Sequence, residues 1–402
     1  MNFQDGNFKF PDENENILKL AIGIENLALG KDPEIEVLKD YMGIDKILVI
    51  LLDGVGYSLL KEYACKYGYP EPRKITTIYP STTAAVLTSL ATTSKPGWHG
   101  MLDWNLYIPE IDMLIESIPF RPIGSRGMDT LKDMGYNIRV LFKGRRMFVS
   151  LKKGGFNVKA YLRGHIVNTC YSKYLLMGAE RVPYINVTDL SVKLRKHLGS
   201  NDNTKVYYVY IEAVDAIAHK YGYYTEEQIT DLKYTLYIIK NELIDKLSAE
   251  TAKNILLILT SDHGLVTINP KEIIYLDKVE GFKKYLRRDS RGVPLVSGSP
   301  RNIYLHVKDE YLDNARRVLE EKLSDKAVIM DKAEFIKTGL LGRIRKKFLD
   351  RIGDLVLLPD AKFGIWIHHV KGKTVDIYGF HGGLSNTEIE TGLIISRLSE
   401  LK

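Results

Sequence analysis

Three short runs of the chain are apolar almost without a break: KILVILL at 46–52, VYYVYI at 206–211 and ILLILT at 255–260. Runs of this length, rich in β-branched and aromatic residues, predict strands covered on both faces, as in a parallel sheet. Between the second and third lies TEEQITDLKYTLYIIKNELIDKL at 225–247. Its Ile229, Leu232, Leu236, Ile239, Leu243 and Leu247 recur at three- and four-residue steps, which predicts an amphipathic helix. Strand–helix alternation of this kind predicts an α/β core, a mostly parallel sheet sandwiched by helices.

Past residue 265 the pattern shortens. SPRNIYLHV (299–307) and AVIM (327–330) predict strands, while KDEYLDNARRVLEEKL (308–323) and DKAEFIKTGL (331–340) predict helices. These small units suggest an inserted, smaller α+β cap subdomain over 270–372. Residues 1–269 and 373–402 then form the core, to which the chain returns with VDIYGFHGGLS at 375–385.

With 45% apolar and 27% charged residues over 402 positions, the composition excludes a disordered or collagen-like chain. No apolar run reaches the roughly 18 to 20 residues that span a bilayer. The first twenty residues have neither a basic start nor an apolar stretch, so no secretory signal is read there. Cys65 and Cys170 are too few for a disulfide framework and are expected as free thiols. A cytoplasmic setting is the expectation. The net charge of +7 is mild. Two basic clusters, at 283–291 and 343–351, read first as solvated helix faces and second as attractors of anions. No motif supports nucleic-acid binding.

Each apolar run delivers an acid near its C-terminal end: Asp53, Asp215 with His219, and Asp262 with His263. Ligands of open α/β sheets lie at that edge of the strands. A single Asp there is ordinarily a helix cap. Three together repel unless a cation sits among them. Asp215 and His219, four apart, share one face of a helical turn, and His381 stands between extended chain and two glycines. Asp and His donors suit Zn²⁺ first and Mn²⁺ second, rather than Ca²⁺. Finally, YPSTTAAVLTSL at 79–90 predicts a helix start, whose free N–H groups favour an anion. Ser81, Thr82 and Thr83 are there as cap or nucleophile, and the pattern alone leaves the choice open.

In this order, LLDGVG, YPSTTAAVLTSL followed by GWHGM, IEAVDAIAHKYG, TSDHG and FHGGLS resemble the alkaline phosphatase superfamily, and within it the type I phosphodiesterase/nucleotide pyrophosphatase family. The resemblance implies an alkaline-phosphatase-like core, two divalent metal ions and a small phosphate-containing substrate such as a nucleotide. Asp53, Thr83, Asp262 and His263 match the ligands of one ion; Asp215, His219 and His381 match those of the other. Thr83 fits the nucleophile, because the family pattern Pro–small–any–Thr falls on Pro80, Ser81, Thr82 and Thr83. The expected reaction is hydrolysis through a phospho-threonine, with the 270–372 insertion capping the site and Arg301 a candidate substrate contact or else half of a structural ion pair. The family's Asn three residues after the nucleophile is replaced by Val86, which leaves the groups that orient phosphate unassigned. Phosphomonoesterases, phosphonate hydrolases and phosphomutases are rivals on this scaffold. A phosphate- or nucleic-acid-binding module without catalysis is the rival of another class.

Overall fold

In the computed structural model, which describes residues 3, 8–200 and 202–402, the three apolar runs lie side by side. β1 (Lys46–Leu52) pairs in parallel with β8 (Thr204–Ile211) on one side and with β9 (Ile255–Thr260) on the other. Beyond β8 come β6 (Asn157–Arg163) and β7 (Glu180–Tyr184), also parallel. On the far flank β18 (Glu390–Arg397) runs antiparallel to β9, and β2 (Arg73–Thr76) antiparallel to β18. The unbroken apolarity of β1 has a plain cause. Ile47, Val49 and Leu51 face one core layer, with the helices Ile17–Ala28 and Thr83–Thr92. Leu48, Ile50 and Leu52 face another, with the helices Val187–Leu198 and Glu226–Ile238. A strand covered on both sides has no solvent face to make polar.

The helix expected over 225–247 is α-helical at Glu226–Ile238 and then loosens into a π-helical turn at Ile239–Ile244. The wider turn brings the neighbours Leu243 and Ile244 both into the core.

The second sheet is antiparallel throughout. Its order is β14 (Ala327–Asp331), β15 (Leu355–Pro359), β13 (Asn302–Leu305), β12 (Val296–Ser299), β3 (Asn105–Ile108), β4 (Met113–Glu116) and β5 (Arg121–Pro122). It is therefore not confined to 270–372: a meander from 105–122 completes it, joined where Gly298 lies opposite Asn105. Strands of two to four residues carry too little alternation to be read from sequence. Two small pairs tie the layers, β10 (Val266–Thr267) with β17 (Gly379–Phe380) and β11 (Ile274–Tyr275) with β16 (Ile365–Trp366).

Both basic clusters are largely solvated, though only in part on short helical turns, Phe282–Lys284 and Lys346–Arg351, and some of their side chains are engaged. In the first, Arg287 pairs with Asp354 at 3.0 Å and Arg291 with the buried Asp289 at 3.5 Å. In the second, Arg351 is fully buried and donates to the carbonyls of Gly100, Val140 and Leu141. Cys65 is exposed, Cys170 is half-buried, and both are free thiols. No helix among the described residues is long and apolar enough to cross a membrane.

Candidate active site

The carboxyl edge of the three central strands collects the acids. Asp53 directly follows β1, and its N–H still donates to Ile211 O at 2.9 Å, so the ladder itself fixes it. The chain then turns at Gly54 with φ +71°, where a Cβ would lie 2.7 Å from Asp215 Oδ1. Only glycine allows that approach. Asp215 sits in the first turn of the helix Ala213–Tyr221, and His219 one turn on, its Nε2 3.1 Å from Asp215 Oδ2. Asp262 and His263 leave β9, and His381 leaves β17. The rings of His263 and His381 stack with centroids 3.8 Å apart, and that of His219 lies 5.2 Å from His381. Gly382, at φ +119°, lets this loop pass close to Thr82 and Ser299.

The three alcohols at the helix start separate by partner. Ser81 Oγ donates to Gly383 O at 2.8 Å and accepts from Gly382 N–H, which holds the His381 loop. Thr82 is the N-cap of the helix Thr83–Thr92, accepting from Ala85 N–H. Thr83 turns its Oγ1 to His263 Nε2, 3.0 Å away. The amides of Thr83 and Ala84 open this helix and have no intrahelical acceptor, so they point their N–H groups at the site.

The donor set fits a cation. Asp53 Oδ1, Asp215 Oδ1 and Asp262 Oδ2 are buried without a hydrogen-bond partner, a costly state for three carboxylates unless an ion completes them. Each imidazole places Nδ1 on a main-chain carbonyl: His219 on Gly379 (2.8 Å), His263 on Gly264 (3.1 Å) and His381 on Ser81 (3.2 Å). An Nδ1–H donated there leaves the Nε2 lone pair for a metal. Two groups of donor atoms lie within 4.8 Å of one another, Asp53–Asp262–His263 and Asp215–His263–His381. His263 thus stands between the two centres, and His219 joins the second through Asp215.

Electrostatics say the same. Burial, reinforced by Asp262 and Asp215, holds the Asp53 carboxyl well above its usual range. Burial also raises Asp262. Burial would raise Asp215 too, but His219 outweighs it and holds that carboxyl low, while Asp215 lifts His219 to about 9 against its own burial. His381 is pushed well down by burial and by His263.

The structure thus gathers Asp53, Thr83, Asp215, His219, Asp262, His263 and His381 at one place. Arg301 is not there. It is fully buried, binds Glu388 through Nε and Nη2 at 3.1 and 2.9 Å, and donates to the carbonyls of Asp360 and Phe363. Of its two readings the structure shows the structural ion pair, not the substrate contact. Nor does 270–372 cap the site. The cavity beside Thr83, about 440 Å³, is walled by residues from 104–128 and 162–176. Val86 is buried in the apolar core and does not line that cavity, so the residue at position 86 has no phosphate to hold. Sequence reading passed over Tyr210, whose hydroxyl donates to Asp53 Oδ2, because it sits inside a run read only as strand. It also passed over Trp104, which lies outside every quoted motif, and Glu212, which lies within IEAVDAIAHKYG but was given no role.

A family model described as type I phosphodiesterase/nucleotide pyrophosphatase matches residues 47–384, most of the chain. The chain belongs to that family. This type I phosphodiesterase is accordingly a hydrolase acting on phosphoester bonds. Its fold is similar to that of murine ectonucleotide pyrophosphatase/phosphodiesterase 5, with TM-score 0.63 and 18% identity over 87% of each chain. An inactive form of the murine protein in complex with AMP aligns at TM-score 0.64 and 17% identity, again over 87% of each chain. The human counterpart gives 0.64 and 16% over the same shares. No curated protein sequence matches significantly.

Two outcomes are expected of this phosphodiesterase. Arg301→Met leaves Glu388 charged, buried and unpaired, and should cost about 3–5 kcal/mol of stability. Adding Glu388→Leu should recover only part of that loss, because the N–H groups of Gly383 and Ser385 then lose their acceptor, as chemical denaturation of both variants would show. Asp53→Asn removes one of three mutually repelling carboxylates. Under chelation it should melt at or above the wild type, yet gain less on addition of Zn²⁺ or Mn²⁺. A saturating ion stabilises the folded state by about 4 kcal/mol at a thousandfold excess over its dissociation constant. A calorimetric scan with and without chelator reads both effects, and equal metal-induced gains would remove Asp53 from the ligand set.

Proposed function

We propose that this protein is a metal-dependent phosphodiesterase/nucleotide pyrophosphatase that works through a phospho-threonine at Thr83. The observation that carries the reading is the placement of Thr83 Oγ1. It lies at the N-terminus of a buried helix and against His263, beside acids whose free oxygens lack partners. Asp53, Asp262, His263 and Thr83 would hold one divalent ion, and Asp215, His219 and His381 the other; zinc suits these donors best and manganese next. Bound there, the ions would supply Lewis acidity, acidifying the Thr83 hydroxyl and neutralising phosphate charge.

The chain's own groups do the rest. The N–H groups of Thr83 and Ala84 orient the phosphate through the positive end of the helix. Thr83 Oγ1 attacks phosphorus, and the new Oγ1–P bond forms as the P–O bond to the leaving alcohol breaks. The proton lost from Oγ1 balances the one the alcohol gains. Water then attacks the same phosphorus as the Oγ1–P bond breaks; its oxygen stays on phosphate, and one of its protons returns to Thr83 Oγ1. A diester and water thus become an alcohol and a phosphate monoester. Nucleotides enter as candidate substrates because the murine neighbour was observed with AMP. The two unbridged thiols are in keeping with a cytoplasmic setting, which the proposal includes.

Thr83→Ala should lower turnover of a diester by roughly three orders of magnitude or more at matched metal occupancy. Thr83→Ser should keep a measurable fraction, since the oxygen survives. Thr82→Ala should mainly lose its cap, worth on the order of 1 kcal/mol of stability. Acid-quenched turnover should leave the phosphoryl group on the Thr83 peptide by mass spectrometry. Full activity in Thr83→Ala would mean that water attacks the diester directly.

A further inference from the structure

Beyond the acids and histidines, the cavity beside Thr83 is lined mainly by apolar side chains, with a few hydroxyls such as Thr169 and Ser172 among them. Leu87, Trp104, Ile118, Met128, Leu162 and Leu176 are part of its wall. Trp104 and Met128 stand at its open side, 40% and 42% exposed. Among the described residues, no lysine or arginine lines it. Enzymes that hold more than one phosphate ordinarily do so with Lys ammonium or Arg forks. The charged groups at the rim do not fill that role. Glu212 lines the cavity, and Arg163 and His165 are drawn onto its Oε1 at 3.8 and 3.4 Å. The rim therefore offers a second phosphate a carboxylate and no unengaged arginine.

A second phosphate would have to shed water against an apolar wall with no counter-charge, which is unfavourable. An aromatic or aliphatic group would instead gain from covering Trp104 and the aliphatic wall.

We propose, resting on the phosphodiesterase half of the reading above, that the preferred substrate is a phosphodiester bearing an uncharged, apolar aryl or alkyl ester group, and that this wall disfavours, relative to it, substrates carrying a second phosphate. Trp104 is the specificity-determining residue on the apolar side, and the absence of lysine and arginine from the described lining of the cavity is what disfavours polyphosphates.

The test holds the leaving group constant. p-Nitrophenyl phosphodiesters whose second ester is phenyl, hexyl or 2-phosphoethyl are assayed with the metal-loaded protein. The phenyl and hexyl esters should exceed the phosphoethyl ester in kcat/KM by tenfold or more. Trp104→Ala should raise KM for the phenyl ester severalfold with kcat changed little. Met128→Lys should raise kcat/KM for the phosphoethyl ester and narrow the preference to less than threefold. Equal rates on all three esters in the wild type, or a preference untouched by both variants, would overturn the proposal. Failure to turn over any ester would count against the enzymatic reading instead. Binding would then still decide the present point, because phenyl phosphate should quench Trp104 fluorescence at lower concentration than inorganic pyrophosphate, and the reverse order would overturn it.

Discussion

Three carboxylates forced together at the end of a buried sheet are the constraint around which this molecule is arranged. Asp53, Asp215 and Asp262 arrive there because β1, β8 and β9 are neighbours, and each keeps an oxygen that no protein group satisfies. Hydrophobic burial of the strands fixes the backbone, and the backbone fixes the acids. The mutual repulsion is tolerated because the same edge carries three imidazoles and a helix N-terminus, the partners of a cation and of an anion respectively. A fold that packs well and a site that is strained without its ions are two results of one arrangement.

What was legible in the sequence follows from the same logic. Strands buried on both faces leave unbroken apolar runs, so β1, β8 and β9 could be read directly, and with them the acids at their ends. Thr83 could be placed only through its likeness to a family pattern; the structure shows why its neighbours differ, since Ser81 is spent on the glycine loop and Thr82 on capping. Arg301, in the turn between β12 and β13, could be read as a substrate contact or as half of a structural ion pair. Nothing local reveals that Glu388, far along the chain, waits for it in the interior. The meander at 105–122 escaped for a related reason: its strands are too short for a period, and their pairing with β12 is a long-range fact.

That meander changes the division of labour between the layers. The second sheet looked like an insertion serving as a lid, but the wall beside Thr83 comes from 104–128 and 162–176. The 270–372 segment instead supplies the anchors behind the wall: Arg351 gathers carbonyls from around Gly100 and Leu141, and Arg301 clamps Glu388 beside the His381 loop. These buried guanidiniums bridge segments distant in sequence, a task suited to a planar group with five donors.

The way the imidazoles are aimed has an evolutionary consequence. In many metal sites a carboxylate side chain orients each histidine, and a single substitution can release it. Here the acceptors behind His219, His263 and His381 are the carbonyls of Gly379, Gly264 and Ser81, which belong to the main chain. No codon change removes a carbonyl oxygen. The aim of the ligands is thus insulated from drift in the surrounding side chains, and a lineage can rebuild the apolar wall for new substrates while the centre that does the chemistry holds its geometry.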